Sequence, residues 1–177
     1  MKKITLFVLS LVLALGVFST VWAADVTIGT DTTTQRQPFG AYWGYERSAS
    51  LYLSSEIGYT GTITQLQWYV GTAQTTSIPT VIYLKTTANT TLTADTWANM
   101  ISGATQVYSA TRTYTPTGWL TIDITDFNYT SGNLLVLCAT NYGGTGTGTY
   151  PYFRYSTTTG YNRHEYWYQD SSAPTGN

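Results

Sequence analysis

Thr62-Ile63-Thr64-Gln65-Leu66-Gln67-Trp68-Tyr69-Val70 is the stretch whose reading decides the fold. Polar and apolar residues alternate along it, the period of a half-buried strand whose successive side chains point to opposite faces. Ile63 and Leu66 fall out of phase with each other, which predicts a bulge between them. The same period extends to both sides. Ala49-Ser50-Leu51-Tyr52-Leu53-Ser54 alternates, and Pro79-Thr80-Val81-Ile82-Tyr83-Leu84-Lys85-Thr86 is predicted as a strand with its Pro at the start, where a missing N–H is tolerated. Further strands are predicted over 106–108, 119–124, 133–141, 150–156 and 163–169, with an early one possible over 26–29. Gly- and Thr-rich turns separate them at short intervals. This is the pattern of an all-β domain, an antiparallel β-sandwich of jelly-roll-like form.

One segment breaks the period. Thr93-Ala94-Asp95-Thr96-Trp97-Ala98-Asn99-Met100-Ile101 has Thr93 or Asp95 as an N-cap, apolar Trp97, Met100 and Ile101 on one face, and Gly103 as a stop. It predicts a single short helix crossing one end of the sandwich, with Trp97 as its plug. Residues 30–45 are too irregular for one strand and are expected to drape across an edge. Residues 142–149, with Gly143, Gly144, Gly146 and Gly148, are expected to form a flexible loop. A phosphate-binding reading of that loop fails, because it lacks the Lys-Ser/Thr ending and a strand, not a helix, follows.

The first residues bear on the compartment. Lys2 and Lys3 precede an apolar run from Ile4 to Phe18, and Val21-Trp22-Ala23 places small residues where a signal peptidase reads. The expectation is a signal peptide over 1–23, a single β-sandwich domain over 24–177, and a secreted or cell-surface location. The run falls short of the roughly 20 residues a bilayer span needs, so no membrane insertion is expected. No Cys stands at the cleavage region, which closes the lipoprotein route. Cys138 is the only cysteine of the chain and forms no internal disulfide; within Leu134–Ala139 it reads as a small buried hydrophobe.

Composition excludes more than it proves. Aromatic residues (6 Trp, 16 Tyr, 5 Phe) outnumber the 17 charged ones, and there is one His. Without the leader's two lysines the balance is six basic against nine acidic residues, a net charge of −3. The basic residues Arg36, Arg47, Lys85, Arg112, Arg154 and Arg163 are scattered singly, so there is no stripe to neutralise phosphates and no nucleic-acid partner is expected. A catalytic His needs an orienting carboxylate and a nucleophile, and His164 has no nucleophile elbow to serve. It reads as a surface or loop-facing imidazole. One His and one Cys cannot make a zinc site. Glu46 and Glu56 lie at opposite ends of a strand, too far apart for a glycosidase pair, and Glu46 is expected to pair with an arginine. No enzyme activity and no cofactor are expected. Asp123, Asp126 and Asn128 form an oxygen cluster of the kind that binds Ca²⁺, although turn-forming Asp explains the same residues.

What remains plentiful is ring surface and hydroxyls. Tyr42-Trp43-Gly44-Tyr45, Tyr150-Pro151-Tyr152-Phe153-Arg154-Tyr155 and Tyr161 with Tyr166-Trp167-Tyr168 are aromatic clusters. Core and cross-strand packing account for many of these rings. Adjacent rings cannot all face one core, however, and alternation puts His164, Tyr166 and Tyr168 on one face and Arg163, Glu165 and Trp167 on the other. The candidate ligand-binding residues are therefore Tyr42, Trp43, Tyr45, Arg154, His164, Tyr166, Trp167 and Tyr168. Sugar rings, with C–H faces for stacking and hydroxyls for hydrogen bonds, suit such a surface.

Glu46-Arg47-Ser48-Ala49-Ser50-Leu51-Tyr52-Leu53-Ser54-Ser55-Glu56-Ile57-Gly58 and Gly61-Thr62-Ile63-Thr64 also carry a resemblance. It continues through Ile82–Lys85, the Trp97 helix, Val107-Tyr108, Gly118-Trp119 and Gly132–Val136. These residues resemble the β-sandwich module near the N-terminus of large secreted proteins of Bacteroidetes and neighbouring phyla. In those proteins, fibronectin-type repeats, adhesin-like jelly rolls or a type IX secretion sorting domain often follow. The resemblance implies a non-catalytic adhesion or structural module with further domains in the same polypeptide, and glycans or cell-surface components as partners. Ala173-Pro174-Thr175-Gly176-Asn177 reads as a turn before another strand, so the domain is expected to be truncated at its C-terminal end. The alternative is a carbohydrate-binding module accessory to a secreted hydrolase.

Overall fold

The computed structural model describes residues 25–176. The segment read as a signal peptide lies outside them. Nine strands form two antiparallel sheets: β1 (Thr34–Gln35), β2 (Tyr45–Tyr52), β3 (Gly61–Thr72), β4 (Gln74–Thr87), β5 (Thr105–Tyr114), β6 (Gly118–Tyr129), β7 (Asn133–Asn141), β8 (Tyr152–Arg154) and β9 (His164–Gln169). The four-stranded sheet has the order β1-β8-β3-β6, and the five-stranded sheet β5-β4-β7-β2-β9. In the first eight strands β1 pairs with β8, β2 with β7, β3 with β6 and β4 with β5. That is one long antiparallel ribbon rolled up so that β8 also meets β3 and β7 also meets β4. The result is a β-sandwich of jelly-roll form. β9 is an addition, paired to the otherwise free side of β2.

The expected bulge is present as a register shift between Ile63 and Gln65. β4 begins earlier than its hydrophobic run suggests, and Pro79 falls inside it, one residue before the ladder with β7 starts. Two short helices occur where one was expected. α1 (Ser54–Ile57) closes β2 with Gly58 in the left-handed conformation. α2 (Trp97–Ile101) is capped by Thr96, whose Oγ1 accepts from Asn99 N, and not by Thr93 or Asp95. The carboxylate of Asp95 instead accepts from Thr96 N and the Asn99 side chain. Nor does α2 cross an end of the sandwich: it lies on the outer face of the five-stranded sheet. Met100, Leu92, Ala49, Leu51, Leu135 and Leu137 form a second apolar cluster there, joined by Trp97 and Trp167. Residues 26–29 form no strand, and Val26 and Ile28 are exposed. The 173–176 stretch starts no strand of a sheet; it crosses to α2, where Trp97 N donates to Thr175 O and Thr96 bridges Gly176.

The main core fills the space between the sheets. Its centre is Phe39, contributed by the irregular segment that precedes β2. The ring is edge-on to Trp68 (4.7 Å) and Phe153 (5.6 Å) and stacked on Tyr114 (5.1 Å). This segment thus does more than drape across an edge, because it inserts Phe39 and Ala41 into the core. The Tyr114 hydroxyl is fully buried and pairs with Thr80 Oγ1 at 2.6 Å, which satisfies it. Cys138 is buried as expected, and burial pushes its thiol well above the ordinary range. The glycine-rich connection is bonded into place: Gly143 N donates to Gly44 O, Thr147 N to Ala41 O and Ser171 N to Gly144 O. Gly146 has a positive φ, and a Cβ there would run into the Tyr42 carbonyl, so the loop is a fitted brace.

Phe39 joins a mobile-looking sequence to a rigid core, so its truncation should cost about 3–5 kcal/mol, the range for a buried Phe→Ala change. Urea denaturation of Phe39→Ala checks this; a loss under about 1 kcal/mol would show that the segment does not hold the sandwich together.

Candidate functional site

The aromatic residues singled out in the sequence do not form one site. On the inner face of β9, at the edge of the five-stranded sheet, Tyr166 and Tyr168 lie near-parallel (6.0 Å, 15°), with His164 beyond Tyr166 (6.1 Å) and Trp43 stacked on Tyr168 (5.0 Å). Tyr42 is edge-on to Trp43 and Tyr150. The alternation reading is correct for these rings. Their surfaces are nevertheless engaged within the protein. The Arg36 guanidinium sits over both Tyr168 (5.0 Å) and Tyr166 (5.9 Å), and its Nε donates to the buried Glu46 carboxylate at 3.1 Å. Glu46 also accepts from Trp43 N. Burial raises the Glu46 pKa, and Arg36 opposes that rise. The group braces the overhanging strand.

Trp167 and Tyr45 face the other way. Trp167 packs on Trp97 (6.1 Å) within the outer apolar cluster. Tyr45 shares its face with Arg47, whose guanidinium donates to the carbonyls of Glu46 and Thr140 and to Asn141 Oδ1. Arg154 is on the other sheet altogether. Glu46 and Glu56 sit at opposite ends of β2 as expected, each with an arginine: Arg36 for Glu46, Arg163 for Glu56.

His164 differs from the surface imidazole expected. Its Nδ1 is 2.9 Å from Ser50 Oγ, and its Nε2 is buried without a partner. Burial lowers its pKa to about 4. The Ca²⁺ candidates are corrected too. Asp123, Asp126 and Asn128 all lie within β6 and not in a loop beyond it. Extended backbone separates Asp123 from Asp126 by about 10 Å, and Asp123 Oδ1 accepts from Gln65 Nε2 at 2.6 Å. Among the described residues no group of three or more His, Cys, Asp or Glu side chains could hold a metal.

The outer face of the four-stranded sheet is open to solvent. Leu66, Trp68 and Val70 of β3, Leu120, Ile122 and Ile124 of β6, and Phe153 of β8 point into the core. Alternation therefore turns Tyr69, Trp119 and Arg154 outward. Tyr69 and Trp119 are directly paired across the β3–β6 ladder and meet edge to face at 5.7 Å. Arg154 approaches from β8 and lays its guanidinium 3.6 Å from the Tyr69 ring centroid. The three form a row across β8, β3 and β6. The next paired rows on the same face are Gln67 with Thr121 and Gln65 with Asp123, each about 7 Å further along. Trp119 is 58% exposed. The two outer faces of the sandwich thus differ in kind: α2 and an apolar cluster cover one, and the other is open, polar and carries an exposed indole.

The sequence reading missed Tyr69 and Trp119, although the signal was present. Both are out of phase with the apolar residues of their own strands, so each points outward. What alternation within a strand cannot give is that β3 and β6 pair in the register that puts them side by side. A groove lies elsewhere, with a volume of about 460 Å³ and lined by Lys85, Thr87, Ser102, Gly103, Thr105 and Phe127. Its ionisable group, Lys85, donates to Ser102 O, which leaves no reactive constellation there. Comparisons with protein-family models, with curated proteins and with solved structures gave no match.

The pH response of β9 follows from His164. Its folded pKa of about 4 lies below the ordinary 6.5 of the unfolded chain, so the unfolded state takes up the proton first. Stability is full above about pH 6.5 and falls as pH drops towards 4, by about 3 kcal/mol at ~1.4 kcal/mol per pK unit. The buried Glu46 has the opposite sign, since its raised pKa favours the folded state as pH falls. The test is therefore a difference: urea midpoints of the wild type and His164→Gln between pH 7 and 4 should converge as the pH falls. Parallel profiles would rule out a buried neutral His164.

Proposed function

We propose that this chain is a secreted, non-catalytic adhesion module that holds polysaccharide on the outer face of its four-stranded sheet. The observation that carries the reading is the row Arg154–Tyr69–Trp119, exposed on an otherwise polar sheet face. An exposed indole beside a second ring offers flat apolar area to the C–H face of a sugar. Gln65, Gln67, Thr121 and Asp123, in paired rows alongside, offer donors and acceptors to its hydroxyls. The face carries a single arginine and no basic stripe, so it is not built to neutralise a phosphate backbone.

The N-terminal leader and the resemblance to sandwich modules of secreted proteins support the same reading. So does the poverty of reactive groups: one imidazole, with Nε2 buried and Nδ1 engaged by Ser50, and one buried thiol. An accessory role beside a secreted hydrolase uses the same face and differs only in what is attached to the module.

Polysaccharide pull-down and glycan-array binding test the proposal. Trp119→Ala should weaken binding about tenfold or more, equivalent to ~1.4 kcal/mol. It should leave the unfolding free energy within about 0.5 kcal/mol, as for an exposed side chain. Trp167→Ala, in the outer apolar cluster, should do the reverse. Absence of glycan binding by the wild type, or full binding by Trp119→Ala, would defeat the reading.

A further inference from the structure

We infer that Arg154 makes this face selective for glycans that carry carboxylates, that is, polymers containing uronic acid residues. The inference rests on the glycan-binding reading above and adds the chemistry of the ligand.

The argument starts from how the six basic side chains outside the leader are used. Arg36 and Arg163 are paired to Glu46 and Glu56. Arg47 donates to three oxygens. Arg112 Nε donates to Thr113 O and Lys85 Nζ to Ser102 O. Among the described residues, Arg154 is the remaining cation, without an ion pair or hydrogen bond, and it is exposed. It is nevertheless fixed. Its guanidinium is held against the Tyr69 ring at 3.6 Å, and the neighbouring strands position its backbone on both sides, β3 through Phe153 and β1 through Arg154 itself. A long side chain resting on a ring, with its hydrogen-bonding edge unused, has less rotamer freedom left to lose on binding.

The chemistry of the group selects the ligand. A guanidinium stacked by one face keeps its N–H donors in the plane of the fork, and that fork matches the two oxygens of a carboxylate. The cation has no acidic partner, so an anionic ligand supplies the missing charge. Arg154 and Trp119 flank Tyr69 from strands on either side, their backbones separated by about 10 Å, two strand spacings. A sugar ring stacked on Trp119 therefore puts the following rings of the same polymer along the row, within reach of the free edge of Arg154. Asp123 is already bonded to Gln65 two rows away, so it does not compete for the guanidinium.

The test uses a panel of uronate polysaccharides (polygalacturonate, alginate and glucuronoxylan), each beside its carboxyl-reduced neutral counterpart, read by affinity electrophoresis of the leaderless chain. The expected result is retention by at least one uronate polymer, about tenfold weaker on its reduced form. Arg154→Gln should abolish that difference while keeping the residual binding to the reduced polymer. Arg154→Lys, with the charge but no planar fork, should restore it only in part. Trp119→Ala should lose both. Circular dichroism melting curves that match the wild type show that the variants are folded. Equal retention on a uronate polymer and its reduced form, or retention by neutral polymers alone, overturns the inference and leaves the glycan-binding reading intact. Preferential retention by dextran sulfate that Arg154→Gln does not alter also overturns it, since that is unspecific ion exchange. No retention by any polysaccharide ends both.

Discussion

A sheet of five strands packed on a sheet of four leaves one strand without an opposite number, and that mismatch organises much of the molecule. Eight strands roll up as a closed double ribbon, so their inner faces meet and bury one another. β9 adds a ninth beyond the roll, and its inward side chains find no strand across from them. The chain covers this overhang with the segment before β2. Arg36 reaches over Tyr166 and Tyr168, Trp43 stacks on Tyr168, and Phe39 fills the centre of the main core. One irregular stretch thus serves the middle of the sandwich and its open side together. The buried Glu46 carboxylate fits the same picture, because it ties Arg36 and the Trp43 backbone to β2 and a buried charge is tolerable only when so engaged.

Aromatic side chains in this protein divide by what touches them. Phe39, Tyr114 and Phe153 are core. The β9 group is half exposed yet occupied by its own neighbours. Trp119 is a case where ring surface is left over on a sheet face, supported from one side by Tyr69 and otherwise open to solvent. High aromatic content by itself says little about binding; the residual, unspent surface is what matters.

The sheet architecture was legible because period two is a local property. The run from Thr62 to Val70 carried even its bulge, and the β7 run from Asn133 to Asn141 stood out as a doubly buried strand. Helix α2 was also legible, but its place was not. Trp97, Met100 and Ile101 declare an apolar face without declaring which surface receives it, and the recipient, the outward side of β2 and β7, is assembled from residues far apart in sequence. The candidate site failed for the same reason. Tyr166-Trp167-Tyr168 drew attention because its rings are adjacent in the chain, whereas Tyr69, Trp119 and Arg154 come from three strands and meet only through register. His164 was misjudged because its burial depends on Ser50 across the β2–β9 ladder.

The contrast between the two outer faces sets how freely each can change. Residues beneath α2 are held by packing, and a substitution there disturbs Trp97, Trp167 and the apolar floor together. On the opposite side, Gln65, Gln67, Thr121 and Asp123 stand on strands whose stability comes from their inward neighbours, so they are replaceable at little cost to the fold. A domain built this way can be retuned to new ligands by surface substitution alone, with one sheet face conserving the architecture and the other left free to diverge.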